Sequence, residues 1–390
     1  MHFPLATSTW DHREIDALNR VISSRQFTMG AEVSNFEEDF SRKFDSSYSI
    51  MSNSGSSANL LALAALRYSS KRPQPGRAEV IVPAVSWSTT YFPIVQMGFR
   101  LKFVDIDLKT LNSSLKSIER AIDSKTAGIV AVNLLGNPSP LAELRELVDE
   151  HGIFLVEDNC ESMGAKYKDK FAGTWGDIGT FSTFFSHHIS TMEGGVSTTD
   201  SEELYQVMMS LRAHGWTRGL PETNYVLNKT GDAFQDSFMF ALPGYNLRPL
   251  ELEGAVGREQ LLKLDSIVDG RRANAKRFLQ ILEMFPTIQV QEETEHSSWF
   301  GFSMVLSGQH ANRRPQFVET LRKHGIEARP IVAGNFCRNP VMRHLPHVEL
   351  PPLPNADKLH TDGLFIGNHH YELGSEFETL EAALDDFVRS

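Results

Sequence analysis

Five short apolar runs, near 48–51, 80–82, 101–106, 129–132 and 153–156, constrain the fold most strongly, because polar turns and helical patterns separate them. Strands alternating with helices at this spacing specify an α/β chain with a mostly parallel sheet. Open sheets of this kind bind ligands just past the carboxyl ends of their strands. The turns after the apolar runs are therefore the places to look for chemistry.

The first run leads into Ser52-Asn53-Ser54-Gly55-Ser56-Ser57-Ala58 and then a helix with Leu60, Leu61, Leu63, Ala64 and Leu66. A small-residue turn at a helix N-terminus offers free amides and the positive end of the helix dipole to a phosphate. It serves equally well as a plain capping cluster. The run at 80–82 ends at Pro83, and Trp87 sits in the turn beyond, where it either packs or stacks on a flat heterocycle. The run at 153–156 continues into Glu157-Asp158-Asn159-Cys160-Glu161. A carboxylate ending an apolar strand must be solvated, paired or functional. Asp158 is thus a site candidate or a turn cap, and Glu161 can face the same cavity.

One later stretch, Gly179–Gly195, opens as a strand with Phe181, Thr183 and Phe185 at period two. It leaves the strand at Ser186, shows His187 and His188, and closes on Glu193-Gly194-Gly195.

The remaining patterns are mostly helical. Residues 11–24 carry a capping box (Asp11, Glu14) and an apolar face of Ile15, Leu18, Val21 and Ile22. A second helix is expected from Ser34, with Glu37 three residues on and Phe36, Phe40 and Phe44 buried. Asp200 and Glu203 cap another, which ends near His214. Residues 217–247 read as a long polar loop, and 250–262 and 264–285 as two helices. Short strands at 288–290, 300–305 and 326–332 mix with helices near 313–324 and 375–389, the last opened by Ser375 and Glu378. This divides the chain into a large domain, 1–249, and linker helices with a small α+β domain, 250–390. Arg329 lies on a strand of the latter, able to bind a carboxylate or to form a surface ion pair.

A formal net charge of -11 argues against non-specific nucleic-acid binding. No run of about 18 apolar residues is present, so no membrane span is expected. The two cysteines, Cys160 and Cys337, lie far apart, which suits a reducing, cytoplasmic setting and gives no metal-ligand spacing. No metal is expected, and a protein-bound iron–sulfur cluster with four cysteine ligands is excluded.

The Gly179–Gly195 frame resembles the internal-lysine segment of the sugar aminotransferase (DegT/DnrJ/EryC) family, pyridoxal-phosphate (PLP) enzymes of fold type I. There a strand ending Phe-Ser-Phe leads to a lysine, and Glu-Gly-Gly follows six residues later. Counting back from Glu193 reaches His187, and no lysine occurs between Lys170 and Lys229. The resemblance implies an aspartate aminotransferase-like large domain. It implies a phosphate turn at Gly55, Ser56 and Ser57 with Ser182, an aromatic over the cofactor ring at Trp87, and a partner for the pyridine nitrogen at Asp158. It further implies that Asn246, in Gly244-Tyr245-Asn246-Leu247-Arg248, reaches the cofactor phosphate of the neighbouring subunit in a homodimer.

The departure at the lysine implies the chemistry. A histidine cannot hold PLP covalently, but it can move protons near neutral pH. PLP, or its amine form pyridoxamine phosphate, is then held non-covalently, with His187 as the base. His188 points elsewhere if the segment is extended and is the alternative base if it bulges locally; His188, His214 and Arg329 are candidate substrate contacts, with a structural role the competing reading for His214. Stretches such as Val82–Thr90, Glu157–Ala165, Ser186–Ile189 and Arg212–Arg218 resemble the family branch that dehydrates nucleotide-linked sugars at C3. That branch implies a GDP-linked 4-keto-6-deoxy sugar as substrate, glutamate as amino donor, and release of ammonia. An ordinary sugar aminotransferase and a silent effector-binding relative are the competing readings.

Overall fold

A computed structural model describes residues 2–390. Its centre is a seven-stranded sheet. The chain forms β1 (Tyr48–Ser52), β2 (Glu79–Pro83), β3 (Arg100–Val104), β4 (Thr126–Val132) and β5 (Phe154–Asp158). A small hairpin of β6 (Lys166–Tyr167) and β7 (Lys170–Phe171) precedes β8 (Ile178–Ser182) and β9 (Gly195–Thr199). The sheet order is β1-β9-β8-β5-β4-β2-β3. From β3 through β8 every pair is parallel, and only β9 runs against its neighbours. The parallel strands β2, β4, β5 and β8 are buried throughout, as a sheet covered on both faces requires.

A second, antiparallel sheet, β10 (Ile288–Gln289), β11 (Gly301–Leu306), β12 (Ala328–Arg329) and β13 (Gly363–Gly367), has the order β10-β11-β13-β12. Phe278 stacks on Phe302 with centroids 4.2 Å apart, at the heart of its core. The helix Leu264–Leu282 enters this core from the large sheet. The N-terminus enters it too: Phe3 is fully buried there and bridges to Ile326. Thr7 Oγ1 and the carbonyl of Pro4 lie 3.1 and 3.0 Å from the two ring nitrogens of His369. Among the described residues no helix is long and apolar enough to cross a membrane.

Several helix starts differ from the local sequence signals. The helix expected from Ser34 begins at Ala31, because the buried Glu251 carboxylate accepts the amides of Gly30 (3.0 Å) and Glu32 (2.7 Å) from another element. Ser201, not Asp200, caps the helix Glu202–Arg212; Asp200 instead accepts from Ser47 N. The helix Ser375–Arg389 starts after Gly374 with no side-chain cap. Ile15 and Ile22 are about half exposed, and Glu14 is the buried residue of that turn, paired with Lys263. Phe185 lies beyond the end of β8 and is exposed. Neither β9 nor the helix Pro354–Asp362 stands out from the local pattern.

Removing the Glu251 carboxylate leaves two helix-start amides without acceptors. Glu251→Ala is expected to cost about 2 kcal/mol. Chemical denaturation reads that loss; an unchanged midpoint contradicts the assigned cap.

Candidate active site

The carboxyl ends of β1, β2, β4, β5 and β8 converge on a cavity of about 400 Å³, a size suited to a cofactor or small ligand. Ser54, Gly55 and Ser56 enter it from the turn after β1. Ser54 is the N-cap of helix Gly55–Arg67, its hydroxyl accepting from Ser57 N at 3.1 Å. The amides of Gly55 and Ser56 precede any intrahelical acceptor and are available to an anion. A Cβ on Gly55 would sit 2.7 Å from Ser182 Cβ, and one on Gly195 would sit 2.2 Å from the Ser54 carbonyl oxygen. Glycine at both positions lets β8 and β9 press against this helix start, which is how Ser182 joins the cradle.

Asp158 ends β5 at the cavity floor. Its Oδ2 accepts from Thr90 Oγ1 at 2.6 Å and Asn59 Nδ2 at 3.0 Å, and Asn59 is fixed in turn by Thr180 Oγ1 at 2.6 Å. The adjacent Glu157 points the other way and accepts the amides of Gly173, Trp175 and Gly176. Trp87 stays 59% exposed at the rim, an unburied indole beside a polar cleft. Anion-binding amides, a held carboxylate and an open aromatic face together fit a phosphorylated, nitrogen-containing flat ring.

Glu161 also lines the cavity. Its Oε2 accepts from Leu135 N at 3.1 Å. Burial, reinforced by the nearby Asp158 charge, pushes its carboxyl up to about 7. It is thus partly protonated at neutral pH and able to donate.

After β8 the chain closes on itself. Thr191 N donates to the Thr183 carbonyl, Phe185 N to the Met192 carbonyl, and Thr183 N to the Gly194 carbonyl. Gln260 anchors this loop: its Oε1 accepts from Ser190 N at 2.9 Å, and its Nε2 donates to Glu14 at 2.7 Å. Two neighbouring histidines then diverge. His187 lines the cavity with Ser186, whereas His188 is fully buried with Nε2 3.1 Å from the Ser298 carbonyl. Desolvation, with the Arg271 charge adding to it, lowers His187 to about 4, so its imidazole is neutral and basic in form at pH 7. No lysine lines the cavity.

Phe300 faces the same cavity from the second sheet. It is placed there because Ser298 N donates to the Gly136 carbonyl (2.9 Å) and Phe300 N to that of Leu135 (3.0 Å). Arg329 reaches the cavity rim and pairs with Glu327 at 3.1 Å.

Four expected residues lie elsewhere within this chain. Ser57 stands behind the cradle, its hydroxyl donating to Asn53 at 2.6 Å within the capping cluster. His188 is turned into the core. His214 is exposed beside Trp216, in a left-handed turn with φ 65°. Asn246 is exposed, accepting from Arg248 Nε at 3.1 Å. Sequence reading also passed over Thr90, Asn59 and Gln260, whose signals are indistinguishable from ordinary helix residues, and Phe300, which reads as part of a core strand.

The model of the DegT/DnrJ/EryC1/StrS aminotransferase family matches residues 8–379. A GDP-4-keto-6-deoxy-D-mannose 3-dehydratase of Yersinia pseudotuberculosis is 50% identical, with 97% of each chain covered. A crystal structure of GDP-4-keto-6-deoxymannose-3-dehydratase with a trapped PLP-glutamate geminal diamine matches with a TM-score of 0.95. It is 49% identical, over 98% of this chain and all of that one. A structure of ColD with two consecutive residues exchanged, a serine for asparagine and the histidine after it for lysine, matches with a TM-score of 0.94. Its identity is 48%, over 97% and 100% of the two chains.

The raised Glu161 carboxyl has a sign that can be checked. Its folded-state value of about 7 lies above the ordinary 4.5, so stability is lost as pH rises from about 4.5 to about 7, with the full cost present above that and none below pH 4.5. Glu161→Gln is expected to stabilise the protein by about 1–2 kcal/mol at pH 8, with the gain vanishing toward pH 4.5. Urea unfolding across that range measures it; a gain independent of pH contradicts the assignment.

Proposed function

This chain belongs to the DegT/DnrJ/EryC1/StrS aminotransferase family, and from that membership we propose that it removes the C3 hydroxyl of GDP-4-keto-6-deoxy-D-mannose. The product is the 4-keto-3,6-dideoxy sugar, ammonia is released, and glutamate becomes 2-oxoglutarate. The balance closes: the oxygen lost by the sugar is matched by the one gained when glutamate becomes its keto acid.

The observation that carries this reading is the cavity wall. His187 stands there, and no lysine lines the cavity to hold the cofactor covalently or to complete amino transfer. The exchanged serine and histidine of the ColD variant support the choice of base, since a serine directly precedes a histidine only at Ser186-His187 in this sequence. The PLP-glutamate adduct of the related dehydratase supports glutamate as donor.

In this reading Gly55, Ser56 and Ser182 hold the cofactor phosphate, and Asp158 keeps its ring nitrogen protonated. Trp87 covers one face of the ring. Bound there, pyridoxamine phosphate supplies the amine that engages the C4 carbonyl and the ring that carries electron pairs. His187 takes the proton from the cofactor methylene carbon and passes a proton to the departing C3 oxygen, which leaves as water. The Glu161 carboxyl, held by Leu135 N, contacts the cofactor from the floor of the cavity. Arg329 meets the substrate at the rim. The protein acts in the cytoplasm as a homodimer, with the exposed Asn246 completing the partner's phosphate site.

Purified protein with PLP, glutamate and GDP-4-keto-6-deoxy-D-mannose is expected to give a sugar lighter by one oxygen, with ammonia and 2-oxoglutarate. An amino sugar overturns the reading. His187→Asn is expected to lower turnover about 100-fold or more. Borohydride is expected to fix PLP covalently to His187→Lys and not to the parent protein. Mixing inactive His187→Asn and Asn246→Ala proteins restores activity if the site is shared across a dimer, because one site of each mixed dimer is then intact.

A further inference from the structure

The helix Leu264–Leu282 carries Arg271 into the junction between the two sheets, where it is 6% exposed. Among the described residues it has no carboxylate partner. Its Nη1 donates to the Phe300 carbonyl at 2.7 Å, and its guanidinium carbon lies 5.9 Å from the Phe300 ring centre. Its Nε finds no hydrogen-bond partner. A buried cation without a counter-ion is costly, and a fold keeps one rarely without use.

What surrounds it is a nest of imidazoles. His187 and His188 lie 5.3 and 5.7 Å, centre to centre, from the same Phe300 ring. The Nδ1 atoms of both, and Ser298 Oγ, are buried without partners, as is Arg271 Nε. His369 and His370 also feel the Arg271 charge, and the His370 backbone packs on Gly270. Asp158, Glu161, Glu193 and Arg329 face His187 across the cavity, and none of these carboxylates reaches Arg271.

We propose that Arg271 is a positioning residue for proton transfer: its uncompensated charge, held against Phe300 on which His187 also packs, drives any proton that His187 accepts forward into the cavity. This rests on the dehydratase reading above. In that reaction the proton His187 takes from the cofactor methylene carbon must leave again on the C3 oxygen. The electron pair of the broken C–H bond replaces the pair that departs with that oxygen, and water is the product. An imidazolium repelled by a fixed guanidinium is a stronger acid than one in water, so the second transfer is favoured. All four histidines feel this charge, and His187 alone among them opens onto the cavity.

The test compares the parent with Arg271→Met and Arg271→Lys. Imidazole ¹⁵N resonances of the protein without substrate, with His187 identified by subtraction of the His187→Asn spectrum, give its titration directly. The single-turnover rate against pH gives its consequence. In Arg271→Met both the titration and the acid limb are expected to move up by about 1 pH unit or more. In Arg271→Lys they are expected to stay near those of the parent. Unmoved curves in a folded Arg271→Met protein, judged by an unchanged melting transition, overturn the proposal and leave a purely structural arginine. If that variant does not fold, Arg271→Gln takes its place and is read the same way: curves that move up support the proposal, and unmoved curves overturn it. The titration needs no turnover, so a parent that titrates as expected but forms no dideoxy sugar counts against the dehydratase reading alone.

Discussion

The site depends on one buried carboxylate being held by neutral donors rather than by a cation. Asp158 receives Thr90 and Asn59, and Asn59 is oriented by Thr180. These residues come from the end of β5, the helix after β2, the helix after β1, and β8. The network therefore fixes four crossings of a parallel sheet against one another at their carboxyl ends. It also leaves the negative charge uncancelled. A salt bridge in its place would cancel that charge within the protein, whereas hydroxyl and amide donors hold the carboxylate without a counter-ion.

A second constraint acts across the two sheets. The backbone of Ser298 and Phe300 bonds to Gly136 and Leu135, and Leu135 also donates to Glu161. A Cβ on Gly136, where φ is 95°, would meet Trp299 N at 2.4 Å, so only glycine permits this approach. The contact puts one aromatic ring between two histidines and a buried guanidinium. Burial around that ring lowers the imidazoles, and the guanidinium charge adds to the effect.

Much of this was legible beforehand, for identifiable reasons. The parallel strands are continuous apolar runs, and their periodicity needs no partner to be recognised. Gly55, Ser56, Trp87, Asp158, Glu161, Ser182 and His187 stand in turns at strand ends, where polar residues are conspicuous, and they meet in one cavity. What escaped notice depends on distant sequence. Glu251 caps a helix from 219 residues away, and Gln260 holds the histidine loop from 70 residues away. Arg271 sits in a helix beside Arg272, half-buried and paired with Glu293, and exposed Arg277, and nothing local distinguishes it. The divergence of His187 and His188 follows from a loop closed by Thr183 and Thr191, a geometry no two-residue periodicity describes.

The two attachments between the sheets also have a mechanical meaning. The smaller body is joined to the larger by the helix Leu264–Leu282 and, separately, by the N-terminal segment that carries Phe3 into its core and latches Thr7 and Pro4 onto His369. The backbone bonds of Ser298 and Phe300 to Gly136 and Leu135 add a further attachment, so the cavity wall that Phe300 forms is held by both bodies at once.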